Sequence, residues 1–322
     1  MTPRVAVLAA LLILLLAPSL YAQNKEFADS ARTWMERVEA NPDDPVARVE
    51  AAYWAGLSIQ PYEALRLLES IDTATFPDSS VMPELYYWIY RAAFLNMTRQ
   101  HERELAVAKE YTALYPDAWA TPVLLARAFA SLGRTEELNR LIDEEEADSG
   151  GNPTMLMDAG ARHLLDHGYA EASARLTERQ IAWYEARPLV EGEDDFRFDY
   201  ARALYRSGRW DEAETRMLQL ADEDPDDEGP QVYLALLAAR KGDLLRAAES
   251  DAKLAELEPP LGSIYRARVA AVRGDIELAM ALLEQALEEG VRMPAELKPS
   301  LVWEFAPYLD HPAYRDFLRP RE

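Results

Sequence analysis

The chain contains no cysteine and only four histidines among its 322 residues. The absence of thiols excludes disulfide bonds, a cysteine nucleophile and a lipid-modified cysteine near the N-terminus. Four histidines provide few side chains for metal sites or for general acid–base catalysis. These absences point away from an enzyme before any motif is considered.

Positive charge is also scarce. The chain has 34 lysine and arginine residues against 57 aspartate and glutamate residues, which gives a net charge of −23. Such a chain is poorly suited to neutralising nucleic-acid phosphates or to binding anionic membranes. Most of the basic residues are arginines, and the guanidinium fork suits bidentate contact with carboxylates. We therefore expect no nucleic-acid partner.

A long apolar run occurs at the N-terminus. Arg4 precedes the run Val5 to Ala17, and a small residue, Ala22, stands before Gln23. This is the pattern of a secretory signal peptide, and the run is shorter than the roughly 20 residues of a membrane span. We predict a signal peptide over residues 1–22 and a periplasmic or secreted mature protein without membrane contact. An uncleaved N-terminal anchor is the alternative.

The second half of the chain repeats itself. Three glycines that end apolar runs are 34 and 32 residues apart, an alanine follows each after five residues, and a proline closes the first two units. Glycine suits the left-handed residue that ends a helix, and proline stops the next helix. The pattern predicts paired helices with short turns. The residues are Gly208, Gly242 and Gly274, then Ala213, Ala247 and Ala279, then Pro225 and Pro259.

This period, with small residues at fixed places, resembles the tetratricopeptide repeat, in which each unit is two antiparallel helices. Small side chains let the two helices approach closely. Asp243 and Asp275, each after a glycine, suit the start of the second helix. The resemblance implies an all-α solenoid of about seven hairpins with a right-handed superhelix, in a protein of bacterial type. The small positions are Ala201, Ala213, Ala235, Ala247, Ala267 and Ala279.

The rest of the chain fits the repeat more loosely. No glycine separates the helices Glu84 to Thr98 and Gln100 to Leu114, Leu138 replaces a small residue, and Thr73 to Pro83 is predicted as a loop. An unrelated helical bundle is the alternative fold. The predicted organisation is a signal peptide at 1–22, a capping helix at 23–43, degenerate hairpins at 44–193, the regular array at 194–293 and a C-terminal cap at 294–322.

Catalytic and metal motifs are weak. His163 and His167 have the i, i+4 spacing of paired metal ligands, but the glutamate of a zinc protease and a third ligand are missing. A hydrogen-bonded core histidine is the better interpretation of His163. The acidic stretch Asp222 to Glu228 lacks the glycine and the alternation of a calcium loop, so we interpret it as a solvated turn. We expect no catalysis, no cofactor and no metal.

The resemblance also indicates a ligand groove, because the first helix of each tetratricopeptide unit lines the concave surface. The groove positions fall into an aromatic zone in the N-terminal half and an arginine zone in the C-terminal half. These positions include Tyr53, Tyr90, Phe94, Arg127, Phe198, Arg202, Tyr205, Arg206, Arg240 and Arg268.

Each zone has two interpretations. The arginines either receive carboxylates of an acidic peptide or chain terminus, or pair with aspartates and glutamates of adjacent helices. The aromatic zone is either groove surface or hairpin core. The carboxylate-clamp subfamily uses lysine and asparagine, and these positions hold no asparagine.

We therefore expect a non-catalytic exported scaffold that binds a protein or peptide in its concave groove and assists assembly of an envelope complex. The first alternative is a membrane-tethered adaptor that keeps its N-terminal anchor. The second is a saccharide-binding or hydrolytic helical solenoid, in which aromatic rings would stack on sugars.

Overall fold

The computed structural model describes residues 23–57, 60–76, 81–147, 152–187, 194–257, 260–289 and 303–319. Within these ranges the chain forms α-helices and two short 3-10 turns, and it contains no strand. No helix of these ranges is long and apolar enough to cross a membrane. The predicted signal peptide, residues 1–22, lies outside the described residues.

The helices follow one another with short connections. They are α1 (Gln23–Ala40), α2 (Pro45–Leu57), α3 (Pro61–Glu69), α4 (Val81–Met97), α5 (His101–Leu114), α6 (Ala120–Ser131), α7 (Thr135–Ala147), α8 (Thr154–Asp166), α9 (Ala170–Glu185), α10 (Asp194–Ser207), α11 (Trp210–Glu223), α12 (Glu228–Lys241), α13 (Leu244–Ala255), α14 (Leu261–Val272), α15 (Ile276–Glu288) and α16 (Pro312–Phe317).

The helices stack as a solenoid of hairpins, from α2–α3 to α14–α15. First helices contact the first helices of the next hairpins: α2, α4, α6 and α8 form one such series, and α10, α12 and α14 form another. Within the described ranges the second helices make no comparable contacts with each other. Because a curved stack brings its inner elements closer together, the first helices form the inner wall. The all-α solenoid expected from the sequence is confirmed.

The small residues and turn residues lie where the repeat requires them. Ala201, Ala213 and Ala235 are fully buried between helices. Gly208, with a φ of +84°, ends α10 in the left-handed conformation, as Gly242 and Gly274 end α12 and α14. The side chains of Asp243 and Asp275 accept backbone N–H groups at the starts of α13 and α15. These local signals therefore specify the hairpins.

Two local expectations need correction. Helix α4 begins at Val81, inside the predicted loop, and Pro83 stands in its first turn. Proline is tolerated there because its missing N–H has no partner in the first turn of a helix. Between α4 and α5 the left-handed position exists without glycine, since Arg99 adopts a φ of +58°. The repeat geometry thus persists where its sequence signal is lost.

Leu138, which replaces a small residue in α7, is fully buried. Its partner position in α8 is Gly160, where an added Cβ would lie 3.1 Å from Leu138 Cδ2 and 2.9 Å from Leu176 Cδ2. The absence of a side chain at Gly160 accommodates the two leucines. A large residue on one helix is therefore matched by glycine on the next.

Residues 303–319, the C-terminal part of the described chain, contact the inner wall. Residues 303–305 are helical, a 3-10 turn follows over Ala306–Tyr308, and α16 completes the described chain. Phe305 and Tyr314 are fully buried, and their rings stack with centroids 4.8 Å apart. Both rings pack against α14 and α15 in a cluster that includes Ile264. Phe305 and Tyr314 thereby cover apolar side chains of the last hairpin.

Candidate functional site

Asp158 of α8 gathers three arginines on the inner wall. Arg162 Nε lies 3.1 Å from one of its carboxylate oxygens, Arg202 Nη2 lies 3.3 Å from the other, and Arg206 contacts that second oxygen as well. Arg202 and Arg206 belong to α10, so the carboxylate joins two successive first helices. Arg202 also pairs with Asp199 at 3.1 Å. These groove arginines therefore have carboxylate partners within the chain.

The environment of Asp158 keeps it ionised. Burial alone would raise the pKa of the Asp158 carboxyl, but Coulombic attraction from Arg206, Arg162 and Arg202 outweighs burial and lowers the pKa well below its usual value. The side chain of Asp158 is 14% exposed. Asp158 is therefore a fixed negative charge that holds three guanidinium groups in place.

Arg268 of α14 pairs with Glu304 of the C-terminal segment. Its Nε and Nη2 lie 3.2 and 3.3 Å from the two carboxylate oxygens. Arg268 is 6% exposed and Glu304 is 1% exposed, so the pair is removed from water. Burial acts to lower the pKa of Arg268, but attraction to Glu304 raises it above its usual value. The arrangement is a bidentate, charge-assisted contact between groove and segment.

Arg240 of α12 is the exception in the arginine zone. Its Nη2 donates to the backbone carbonyl of Trp303 at 3.5 Å, and its guanidinium lies 5.9 Å from the Tyr205 ring centroid. It has no carboxylate partner among the described residues. Arg206, in turn, lies 5.1 Å from the centroid of the Trp303 ring. Arg240 is thus a cation positioned on the inner wall without a countercharge.

Three of the predicted groove residues are buried by the protein itself. Tyr205 is 3% exposed and lies in the core of the regular array, and Arg268 is covered by Glu304. Phe94 is 4% exposed, and its ring packs on Gly56 so closely that a Cβ there would overlap it. In this conformation these side chains cannot contact a ligand directly.

Tyr53 and Tyr90 of the aromatic zone are only half-buried. Their rings stack with centroids 5.0 Å apart, and Tyr86 stacks on the other side of Tyr90 at 5.5 Å. Burial raises the pKa of the Tyr90 hydroxyl, with further increases from Tyr53, Tyr86 and Glu50. Much of the ring surface of these tyrosines is therefore packed against the other tyrosines. Phe198 is half-buried too and meets Tyr233 edge-on.

Arg127, the remaining predicted residue, belongs to a polar cluster between α4, α5, α6 and α8. Its Nε donates to the buried Glu104 at 2.6 Å, and Asn96 Nδ2 donates to the same carboxylate at 2.9 Å. His101 lies 3.2 Å from Glu104 through Nδ1 and 2.9 Å from His167 through Nε2. His167 Nδ1 lies 2.8 Å from the His163 carbonyl oxygen and donates a hydrogen bond to it.

This cluster couples nonadjacent hairpins. Burial acts to raise the pKa of Glu104, but Arg127 and the hydrogen bonds from His101 and Asn96 lower it overall. No group of three or more potential metal ligands has a suitable arrangement in the described part of the chain. Within the cluster, the rings of His101 and His167 are partly buried and hydrogen-bonded.

Sequence reasoning missed the carboxylates that organise the arginine zone. Asp158 and Arg162 show the i, i+4 spacing of a helical ion pair, which could have signalled the first cluster. Glu304 stands between Trp303 and Phe305, a pattern that indicates a buried acid but not its partner. The arginines of the arginine zone lie on α10, α12 and α14.

One protein-family model matches part of the chain. Residues 164–239 match the family model described as tetratricopeptide repeat. This stretch supports a protein built on tetratricopeptide repeats. No curated protein matches the chain.

The tetratricopeptide match runs from the end of α8 through most of α12. It therefore includes Arg202 and Arg206 together with the helices that position them. Tetratricopeptide repeats generally mediate protein–protein interactions and typically lack catalysis of their own. The family and the inner wall together support a protein-interaction scaffold.

Proposed function

We propose that this protein is an exported, non-catalytic scaffold that binds an acidic segment of a partner protein on its inner wall, as part of the assembly of an envelope complex. The observation that carries the proposal is the arginine zone itself. On a chain with a net charge of −23, the first helices α10, α12 and α14 carry four arginines, and Arg206, Arg240 and Arg268 all contact residues 303 and 304. Guanidinium groups held in this way favour carboxylate ligands.

Arg240 is the contact that an external carboxylate would use. Asp158 pairs with Arg202 and Arg206 and Glu304 pairs with Arg268, whereas Arg240 contacts a backbone carbonyl and a ring. Because Arg240 is only partly buried, an incoming carboxylate can pair with it without displacing another acid. The zone therefore combines rigid, paired arginines with one cation available for binding.

The experiment is a peptide titration. A labelled peptide of alternating glutamate and serine is titrated against the wild-type chain, Arg240→Ala and the matched control Arg175→Ala, an exposed arginine of α9 that is 71% exposed. We expect Arg240→Ala to raise the Kd about tenfold, since a charge-assisted contact is lost, while Arg175→Ala leaves the Kd unchanged. A matching neutral peptide should bind none of the variants.

Equal affinity of wild type and Arg240→Ala for the acidic peptide would remove the proposed binding mode. Mass spectrometry of the mature N-terminus separates export from the membrane tether, because cleavage leaves a chain that begins at Gln23. Saccharide binding in the absence of peptide binding would favour the remaining alternative, in which Tyr53, Tyr86 and Tyr90 stack on sugar rings.

A further inference from the structure

Residues 303–305 place an acid between two aromatic rings on the inner wall. Glu304 pairs with Arg268, Trp303 lies against Arg206, and Phe305 fills the cluster around Ile264. Trp303 also packs against the cluster formed by α6 to α9, several hairpins away from α14. The segment thus crosses the surface on which the proposed partner would bind.

We propose that Trp303 to Phe305 is a built-in ligand. On this proposal, which rests on the proposed function, the inner wall binds a partner segment in which an acidic residue is flanked by aromatic residues. The chain's own segment occupies the same contacts and competes with the partner. The proposal identifies both the chemistry of the partner and the regulation of the site.

The contacts of the segment are those of a bound peptide. Its side-chain carboxylate is held by the Arg268 fork, and its main chain is held by Arg240 Nη2 through the carbonyl of Trp303. The residues that hold it are groove positions of the first helices, α10, α12 and α14. Peptide recognition combines main-chain hydrogen bonds with side-chain pockets in the same way.

The fit of the segment is incomplete. The indole Nε1 of Trp303 is buried and has no hydrogen-bond partner among the described residues. A buried donor without an acceptor is unfavourable, so the self-contact is weaker than a fully satisfied one. Arg240 likewise receives only a carbonyl at 3.5 Å where a carboxylate would pair with it. A partner segment that satisfies these groups can therefore displace the chain's own residues.

Competition between the chain's own segment and a partner predicts how the apparent Kd for the partner should change. The apparent Kd for a partner equals the intrinsic Kd divided by the fraction of molecules whose groove is open. Glu304→Gln removes the charge of the internal ligand and leaves Arg268 available to an external carboxylate. This substitution should therefore raise the affinity for a segment of the same chemistry by about tenfold or more.

The test uses a fluorescently labelled peptide with the sequence of residues 303–319, titrated by anisotropy into the full chain. We expect weak binding to the wild type, at least about tenfold tighter binding to Glu304→Gln, and no gain in the matched control Glu277→Gln, an exposed residue of α15. A peptide that carries glutamine at the position of Glu304 should lose the gain. Trp303→Ala, which removes the ring beside Arg206, should increase affinity as Glu304→Gln does.

Circular dichroism identifies variants that remain folded. If Glu304→Gln and Trp303→Ala are folded and bind the peptide no better than the wild type, the segment is a fixed cap and the proposal is overturned. If both variants unfold, the segment is part of the fold itself, which also overturns it. Binding of the glutamate–serine peptide through Arg240 in either case would leave the scaffold function standing.

Discussion

At the scale of single residues, the inner wall depends on how its charges are paired. Asp158 lies among Arg162, Arg202 and Arg206, and its carboxylate offsets the repulsion between three guanidinium groups. A buried charge that loses its partner is costly, because neither water nor a countercharge replaces it. Asp158 is therefore the residue whose removal should disturb the arginine zone most.

Asp158→Asn should destabilise the protein by about 3 kcal/mol, as expected when one member of a buried charge cluster is removed. Chemical denaturation at neutral pH measures this loss. Asp222→Asn, an exposed residue of α11, is the matched control and should change the free energy of unfolding by less than about 0.5 kcal/mol. Similar values for the two variants would show that Asp158 does not organise the cluster.

The stability difference between wild type and Asp158→Asn should also depend on pH. The pKa of Asp158 is lowered in the folded state, so its contribution to stability is present above its ordinary pKa of about 3.9 and declines as pH falls below it. We expect the stability difference between wild type and Asp158→Asn to narrow when denaturation is repeated between about pH 6 and pH 3. A difference that stays constant over this range would contradict the assigned ionisation.

At the scale of elements, the turns between helices carry most of the information in the sequence. Gly133, Gly168 and Gly208 end first helices with positive φ, and Arg99 adopts the same conformation at the end of α4. A residue with a Cβ is strained in this region by about 1–2 kcal/mol relative to the right-handed helix. The turn after α4 therefore retains the repeat geometry at an energetic cost.

Arg99→Gly should stabilise the protein by about 0.5–1 kcal/mol, because relief of strain exceeds the extra freedom that glycine gives the unfolded chain. Arg99 is exposed, so few contacts are lost. Arg273→Gly is the matched control, since Arg273 ends α14 with a φ of −76° and should lose stability on substitution. Thermal unfolding of both variants checks the sign; destabilisation by Arg99→Gly would contradict the assigned strain.

The sequence was sufficient to predict the hairpins because each one is specified by nearby residues. Buried alanines and left-handed glycines agree at every unit from α10 to α15, and aspartates cap the second helices α13 and α15. The repeat signal weakens where a compensating change lies on another helix, and the start of α4 was predicted wrongly because proline has two acceptable roles there. Leu138 is accommodated by Gly160 in α8, and Pro83 fits the first turn of α4 as well as a loop.

At the scale of the whole molecule, the repeat pattern could not predict which residues contact the inner wall. Periodicity places Arg206, Arg240 and Arg268 on the first helices, but it does not encode their contacts with residues 303–305, which are 36 to 97 residues away in the chain. Those contacts depend on the curvature of the solenoid, which no local pattern specifies. The repeat therefore predicts which helices carry these arginines, but the contacts with residues 303–305 are not encoded in it.

The distribution of charge over the molecule also depends on the fold. The chain is strongly acidic overall, with 57 acidic residues, while the inner wall presents arginines that are only partly paired, with Asp158 and Glu304. A strongly acidic chain repels other anions such as nucleic acid, and on our proposal a short acidic segment still pairs with the arginines of the inner wall. Binding selectivity thus follows from the fold as much as from single residues.

The central claim is that the first helices form the binding surface, and amide hydrogen exchange of the full chain tests it most directly. With the glutamate–serine peptide present, we expect slower exchange in α10, α12 and α14 and altered exchange across residues 303–308, with little change in α11 and α13. Protection confined to the second helices, or no change at any helix under conditions where the peptide is bound, would contradict the account.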